Sequence, residues 1–235
     1  YVRKNGFERV LLGLSGGIDS SVVAAVAADA LSSGNVIGIT MPSRFNSKET
    51  QTDAERLAKN LGIKFMTIPI EPVLSQFDKS LQAVSGWNNG GIAYENLQAR
   101  IRGSILMSLS NQLGAMVLTT GNKSETAVGY TTLYGDTAGG FAVIKDVPKT
   151  LVYKLAAHIN GLSGRETIPA DVINRPPTAE LRPGQKDADT LPEYDLLDRI
   201  LSGYIEQDKS AQQLVRDGLP QDVVYKVIRM VDRNE

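Results

Sequence analysis

Arg9-Val10-Leu11-Leu12-Gly13-Leu14-Ser15-Gly16-Gly17-Ile18-Asp19-Ser20-Ser21 is the stretch that decides the fold. Its first four residues form a short apolar run suited to a buried strand, and Val22 to Ala28, rich in alanine and valine, reads as a helix. A strand feeding a Gly- and Ser-rich turn that opens a helix aims backbone N–H groups and a positive helix end at one point, which suits a phosphate. The turn has neither the Lys-[ST] of a Walker A loop nor a G-x-G-x-x-G spacing. A Gly-rich turn by itself is also compatible with a plain tight connection, and Asp19 with a partner for the helix dipole.

Working outward, the predicted helix runs from about Asp19 to Leu31 and ends at Ser32-Ser33-Gly34-Asn35. Val36–Met41 is a second strand, Ser47 an N-cap for a helix through Leu61, Gly62 its stop, and Lys64–Ile70 a third strand. Strands apolar on both faces that alternate with helices predict an α/β fold: an open, mostly parallel, doubly wound sheet with helices on both faces. A helix from about Pro72 to Val84 and a loop at 85–91 follow. From Ala93 to Leu113, Leu97, Ile101, Ile105, Leu109 and Leu113 recur every four residues and predict a long amphipathic helix, with Asn96 and Arg100 on one face. Ala115–Thr120 is the fourth strand, and Gly121–Glu125 a polar loop. Residues 127–140 have many glycines and threonines and no helical period, and a loop of that length is usually functional. A short strand at Phe141–Ile144, a helix opened by Pro148 in its first position and running to about Ile159, and an irregular segment at 174–192 complete the middle. The C-terminal end is helical at 193–205, 210–216 and 221–232.

The chain of 235 residues, with 42% hydrophobic and 22% charged residues, fits one globular domain, 1–235. Tyr1–Gly6 reads as a helix end closed by glycine, and the last residues stop without a terminator, so a segment excised from a longer chain and cut at both ends is expected. Its net charge of −1 argues against a general nucleic-acid surface. No apolar run approaches the roughly 20 residues of a membrane helix. The absence of cysteine excludes disulfides and a thiol nucleophile and fits a reducing, cytoplasmic setting; a single histidine, His158, leaves little room for a His-based triad.

In a parallel α/β sheet the ligand lies beyond the carboxyl ends of the strands, so loops 13–20, 42–47 and 119–126 are the candidates. Asp19 on the first and Glu125 on the third place two carboxylates near phosphate oxygens, a donor set suited to Mg²⁺. Lys149 stands at a helix start, an unfavourable place for a cation, which hints at a nearby anion. His158 reads as structural or exposed, and Trp87 as a local packing residue.

Ser15-Gly16-Gly17-Ile18-Asp19-Ser20 resembles the pyrophosphate-binding loop of the ATP pyrophosphatases. The stretches 95–102, 118–125, Tyr134-Gly135-Asp136, Pro148-Lys149-Thr150 and 175–181 are similar, in the same order, to the synthetase domain of the NAD synthetase family in its bacterial glutamine-dependent form. The resemblance implies an adenine nucleotide alpha-hydrolase-like fold and the ATP-dependent amidation of nicotinic acid adenine dinucleotide to NAD, with AMP and pyrophosphate released through an acyl-adenylate. It implies ATP contacts from Gly13, Leu14, Ser15, Gly16, Gly17, Ile18, Asp19, Ser20, Thr120, Lys149 and Thr178, with Thr40 and Met41 beside the adenine. Asp19 and Glu125 would hold Mg²⁺, and Asn96, Arg100, Glu125, Tyr130, Leu133 and Asp136 the deamido dinucleotide. No side-chain nucleophile is implied, and Lys149 would stabilise charge. The family further implies a homodimer, with the helix at 93–113 a candidate interface, ammonia from a glutamine amidase domain in the parent protein, and a basic segment beyond the last helix. Another ATP pyrophosphatase, such as a GMP synthetase-like domain or a tRNA-modifying enzyme, and a non-catalytic adenine-nucleotide-binding module are the alternatives.

Overall fold

Five parallel strands order the rest of the chain in the computed structural model, which describes residues 1–234. β1 (Arg9–Gly13) leads to α1 (Ile18–Leu31), β2 (Val36–Thr40) to α2 (Lys48–Leu61), and β3 (Lys64–Thr67) to α3 (Glu71–Leu81) and α4 (Ile92–Leu113). β4 (Ala115–Thr119) is followed by α5 (Lys123–Ala127), β5 (Phe141–Ala142), α6 (Lys149–Ser163) and α7 (Ala170–Asn174). α8 (Tyr194–Leu201), α9 (Ala211–Arg216) and α10 (Gln221–Asn234) end it. The sheet order is β3-β2-β1-β4-β5, with Val10 paired to Val36 on one side and to Met116 on the other.

Alternation along the strands sorts the core into two layers. Val10, Leu12, Val36, Met116 and Leu118 pack with α1, α2 and α6, whereas Leu11, Ile37, Ile39, Ala115 and Val117 pack with α3 and α4. α1 is buried on most faces, as its alanine and valine content predicts. A third apolar cluster joins α8, α9 and α10 to Val128. No described helix is long and apolar enough to cross a membrane.

Most predicted boundaries hold, and the exceptions have local causes. Ser47 caps α2 by accepting from Thr50 N, and Gly62 closes it at φ 68°. The third strand stops at Thr67, before the predicted Ile70, because Pro69 has no N–H for the ladder. The expected polar loop at 121–125 instead opens α5, since the Asn122 side chain accepts from Glu125 N at 2.9 Å and caps it. Pro148 is the residue before α6, not its first member, and the helix continues to Ser163 until Gly164 turns at φ 60°. β5 is two residues long, shorter than predicted. The five-residue α7, behind Pro169, was without a sequence signal. In α4, of the predicted stripe, Ile101 is fully buried and Leu97, Ile105, Leu109 and Leu113 are half-buried; Tyr94, Gln98 and Leu106 complete its inner face. Tyr1–Gly6 forms a single 3-10 turn, Arg3–Asn5, closed by Gly6 at φ 79°.

Candidate functional site

The chain reverses its direction of winding between β1 and β4, and the loops leaving these two strands open a crevice there. A cavity of about 580 Å³ occupies it. Its wall contains Gly13 to Ser20, Thr40, Met41, Asn96, Thr120, Glu125, Tyr130, Asp136, Lys149 and Thr178. Two expected residues are absent from the wall: Arg100 is exposed and donates through Nε to Leu133 O at 3.2 Å, and Leu133 is 62% exposed.

The loop after β1 is braced by its own serines. Gly17 N donates to Ser15 Oγ at 3.2 Å, and the hydroxyls of Ser20 and Ser21 donate to Gly17 O at 3.0 and 2.8 Å. Gly16 lies at φ +81°, and a Cβ there would stand 2.1 Å from Thr50 O at the start of α2. Only glycine meets both demands. Gly17 then precedes α1, so the first N–H groups of that helix face the crevice mouth beside Asp19.

Lys149 is 2% exposed and lies between two carboxylates, 2.5 Å from Asp19 Oδ2 and 2.9 Å from Glu125 Oε1. Burial disfavours its ammonium, but Asp19 and Glu125 together outweigh this and hold its pKa above the ordinary lysine value. Burial likewise pushes Glu125 up to about 7, against the pull of Lys149 and with the repulsion of Asp19 and Asp187 added. The helix-start position that looked unfavourable for a lysine is thereby explained. Asp198 accepts from Thr150 N at 2.9 Å and from the Ser124 hydroxyl, and Ser124 Oγ accepts from Lys149 N, so α6 has a carboxylate at its positive end. Asn122 serves twice, capping α5 and donating through Nδ2 to Asp19 Oδ1 at 2.9 Å.

Loop 127–140 forms the far wall. Thr132 N donates to Asp136 Oδ1 at 2.8 Å, and the Thr132 hydroxyl to Asn96 Oδ1 at 2.9 Å. Burial raises the Asp136 pKa, with the Thr132 hydrogen bonds opposing. The loop lies directly on α4: a Cβ on Gly103 would meet Gly135 O at 2.8 Å, and one on Gly135 would meet Ala99 Cβ at 2.8 Å.

Several wall residues escaped sequence reasoning. Arg102 donates through Nε to Met41 O and through Nη2 to Asn46 Oδ1, both at 3.0 Å; burial lowers its pKa to about 10, against Glu180. The segment 175–187 crosses the crevice. Arg175 pairs with Asp53 and reaches Gly16 O at 3.4 Å, Glu180 accepts from Thr50 Oγ1 at 2.9 Å, and Gln98 donates to Leu181 O at 2.9 Å. No periodicity marks such contacts, because each joins residues more than 50 positions apart. Asn122 alone had a local signal, as a cap residue three positions before Glu125. His158 is exposed, and Trp87 packs edge-on against Tyr94 with its Nε1 donating to Asp78 at 2.8 Å, a local role as expected.

Residues 1–235 match the family model described as NAD synthase. The glutamine-dependent NAD(+) synthetase of Aquifex aeolicus is 55% identical over 239 residues, covering 100% of this chain and 41% of that protein. The Thermotoga maritima protein of the same name is 53% identical over 235 residues, with the same coverage. Among solved structures, the glutamine-dependent NAD+ synthetase from Acinetobacter baumannii in complex with adenosine diphosphate superposes with a TM-score of 0.73 at 45% identity, over 100% of this chain and 42% of that one. The NMN synthetase from Francisella tularensis gives 0.84 at 26% identity, over 99% and 87%. The chain spans about two fifths of the length of these curated relatives. With the family model matched from end to end over a cavity built by its motif-bearing loops, the chain belongs to the NAD synthase family.

Proposed function

We propose that this chain is the synthetase segment of a glutamine-dependent NAD synthetase, a ligase that forms a C–N bond. The observation that carries this reading is the match of the whole chain, at 55% and 53% identity, to relatives of that name. The cavity supports it, because one crevice joins a phosphate-type loop to the loop at 127–140.

The chemistry follows from the substrates. A carboxylate is a poor acceptor for ammonia, so an oxygen of the nicotinate group of nicotinic acid adenine dinucleotide attacks the α-phosphorus of ATP. The Pα–O bond to pyrophosphate breaks, giving an acyl-adenylate. Ammonia then adds to the acyl carbon, loses a proton, and AMP departs, leaving the amide of NAD. The chain contributes positioning and charge neutralisation. N–H groups of the loop after β1 and the start of α1 hold the ATP phosphates, with Thr120 and Thr178 beside them. Lys149 has three N–H donors, two given to Asp19 and Glu125, which leaves the third for a phosphate oxygen. Asn96, Glu125, Tyr130 and Asp136 face the dinucleotide, and Arg100 holds Leu133 O.

Asp19 and Glu125 suit Mg²⁺. Both reach one ammonium, so they converge, and no described group of three His, Cys, Asp or Glu residues forms a protein-only cage. Two carboxylates completed by substrate phosphates and water are a usual Mg²⁺ set. The metal, when bound, would draw charge from the phosphate oxygens.

We further assign the chain as a single catalytic domain of a longer cytoplasmic protein in which an amidase domain supplies ammonia from glutamine. A homodimer is proposed through α4, whose Ile92 and Met107 are exposed, as are Leu133 and Tyr134 of loop 127–140. Light scattering of the full-length protein checks the dimer. The function is tested by incubating the full-length protein with ATP, Mg²⁺, ammonium and, in separate arms, nicotinic acid adenine dinucleotide, nicotinic acid mononucleotide and xanthosine monophosphate. NAD, AMP and pyrophosphate in equal amounts in the first arm alone are expected; product in another arm alone, or none, overturns the reading.

A further inference from the structure

Asp187 and Tyr194 lie outside every motif that marked the site, yet they connect its two walls. Asp187 begins a short 3-10 turn, Asp187–Asp189, and is 4% exposed. Its Oδ2 accepts the Tyr194 hydroxyl at 2.8 Å, and its Oδ1 the Tyr130 hydroxyl at 3.3 Å. Tyr194, the first residue of α8, also approaches Glu125 Oε1 at 3.4 Å, and Lys149 Nζ stands 5.2 Å from the centroid of its ring. One carboxylate thus ties loop 127–140, through Tyr130, to the Glu125–Lys149 pair, through Tyr194.

The energetics argue against a purely stabilising part. Among the described residues Asp187 forms no ion pair with a lysine or arginine. A buried carboxylate met only by neutral donors is costly, and an amide of the same shape would fill the place at lower cost. The charge does supply direction. A phenol has one proton, and the nearer, charged acceptor takes it, so Tyr194 is held in one position against Glu125 and beneath Lys149.

We propose that Asp187 and Tyr194 are positioning residues, which touch no reacting atom but set the place of Glu125 and Lys149 relative to loop 127–140. The proposal rests on the function assigned above. It is tested in the full-length protein with Asp187→Asn, Tyr194→Phe and the double variant. Tyr194→Phe keeps the ring over Lys149 and removes only the hydroxyl, so it remains informative if Asp187→Asn folds poorly. Each single change is expected to lower kcat by about 10–100-fold, the loss typical of partners that orient a ligating group. The Kd of ATP, measured by calorimetry without the dinucleotide, should move by less than about 3-fold, as expected of groups that act in the reaction and not in ground-state binding. The double variant should be about as impaired as the worse single one, because both residues belong to one string. Unchanged kcat in a folded Tyr194→Phe variant, losses that multiply, or weakened ATP binding with kcat intact would each overturn it. A wild-type protein inactive on the dinucleotide sinks the functional reading and the proposal together, whereas active wild type with unaltered variants sinks the proposal alone.

Discussion

The two walls of the crevice differ in how far they depend on distant partners. The loop after β1 takes its shape from neighbours in sequence: Ser15, Ser20 and Ser21 all bond within residues 15–21, and one close approach, Gly16 to Thr50, seats it on α2. Loop 127–140 adds to its own bonds, such as Thr132 N to Asp136, a larger set of distant partners, with Asn96, Ala99, Arg100 and Gly103 of α4 on one side and Asp187 on the other. The first wall is therefore a short sequence pattern with a fixed form, and the second is a consequence of tertiary packing. Lys149, held by Asp19 from the first wall and by Glu125 of α5, the helix that leads into the second, is where they meet.

Removing that junction should have the largest effect. Lys149→Met leaves two carboxylates without their cation, and loss of one partner of a buried pair costs about 3–5 kcal/mol. The low end, about 3 kcal/mol, is expected because Asp19 and Glu125 remain 18% and 17% exposed. Urea unfolding measures it, and Glu125→Gln added to Lys149→Met should recover part of the loss. A stable Lys149→Met protein would show that the walls do not depend on each other.

Gly16→Ala attacks the local wall alone. Its Cβ cannot fit against Thr50 O at φ +81°, and a displaced loop should weaken ATP binding by about 100-fold, the scale of a misplacement of about 1 Å. Calorimetry decides, and an unchanged Kd removes the loop from the phosphate site. Gly103→Ala is the counterpart on the distant wall. It should raise the KM for the dinucleotide by about 10-fold through overpacking while leaving the ATP Kd within about 2-fold, and equal losses for both substrates would erase the distinction.

Titration sharpens the junction further. Glu125 has an ordinary pKa of 4.5 when unfolded and about 7 when folded, so between these values the native state binds more protons. Its contribution to stability is thus greatest below about 4.5 and declines as pH rises through about 7. Lys149 acts at the other extreme: its raised pKa gives stability that is full below 10.5 and lost as pH climbs through the folded value. Unfolding curves from pH 5 to 8 should show the first decline in the wild type and its absence in Glu125→Gln. The smallest effect is expected away from both walls, where Arg56→Ala removes exposed bridges to Glu166 and Asp171 worth no more than about 1 kcal/mol.

This contrast also explains what could be read before the structure. The strands, the caps at Ser47 and Gly62 and the loop at 13–20 are local patterns, and they stand where expected apart from the shorter third and fifth strands. Asn96, Tyr130 and Asp136 were reached through the family resemblance, since no periodicity in residues 127–140 points to α4. Arg100 and Leu133 came by the same route; the Arg100 guanidinium holds the Leu133 carbonyl, and neither residue lines the cavity. Asp187, Tyr194, Arg102 and Arg175 had no local signature, because Tyr130, Glu125, Asn46 and Asp53, their respective partners, are brought near them only by the tertiary fold. The lysine at the start of α6 was legible as an anomaly, and its cause became visible with the carboxylates around it.

Trp87, a packing residue without part in the chemistry, has a spectroscopic consequence. It is the single tryptophan of the chain, so intrinsic emission excited at the red edge comes from one place. Its indole is fixed by Asp78 and lies 6.4 Å from the Tyr94 ring, whose hydroxyl accepts from Arg44 at 2.5 Å on the loop that follows β2. A change in its emission on adding nucleotide would therefore report movement of that loop, transmitted through Arg44 and Tyr94, and not contact with the base. The chain has an internal optical probe coupled to the loop that follows β2.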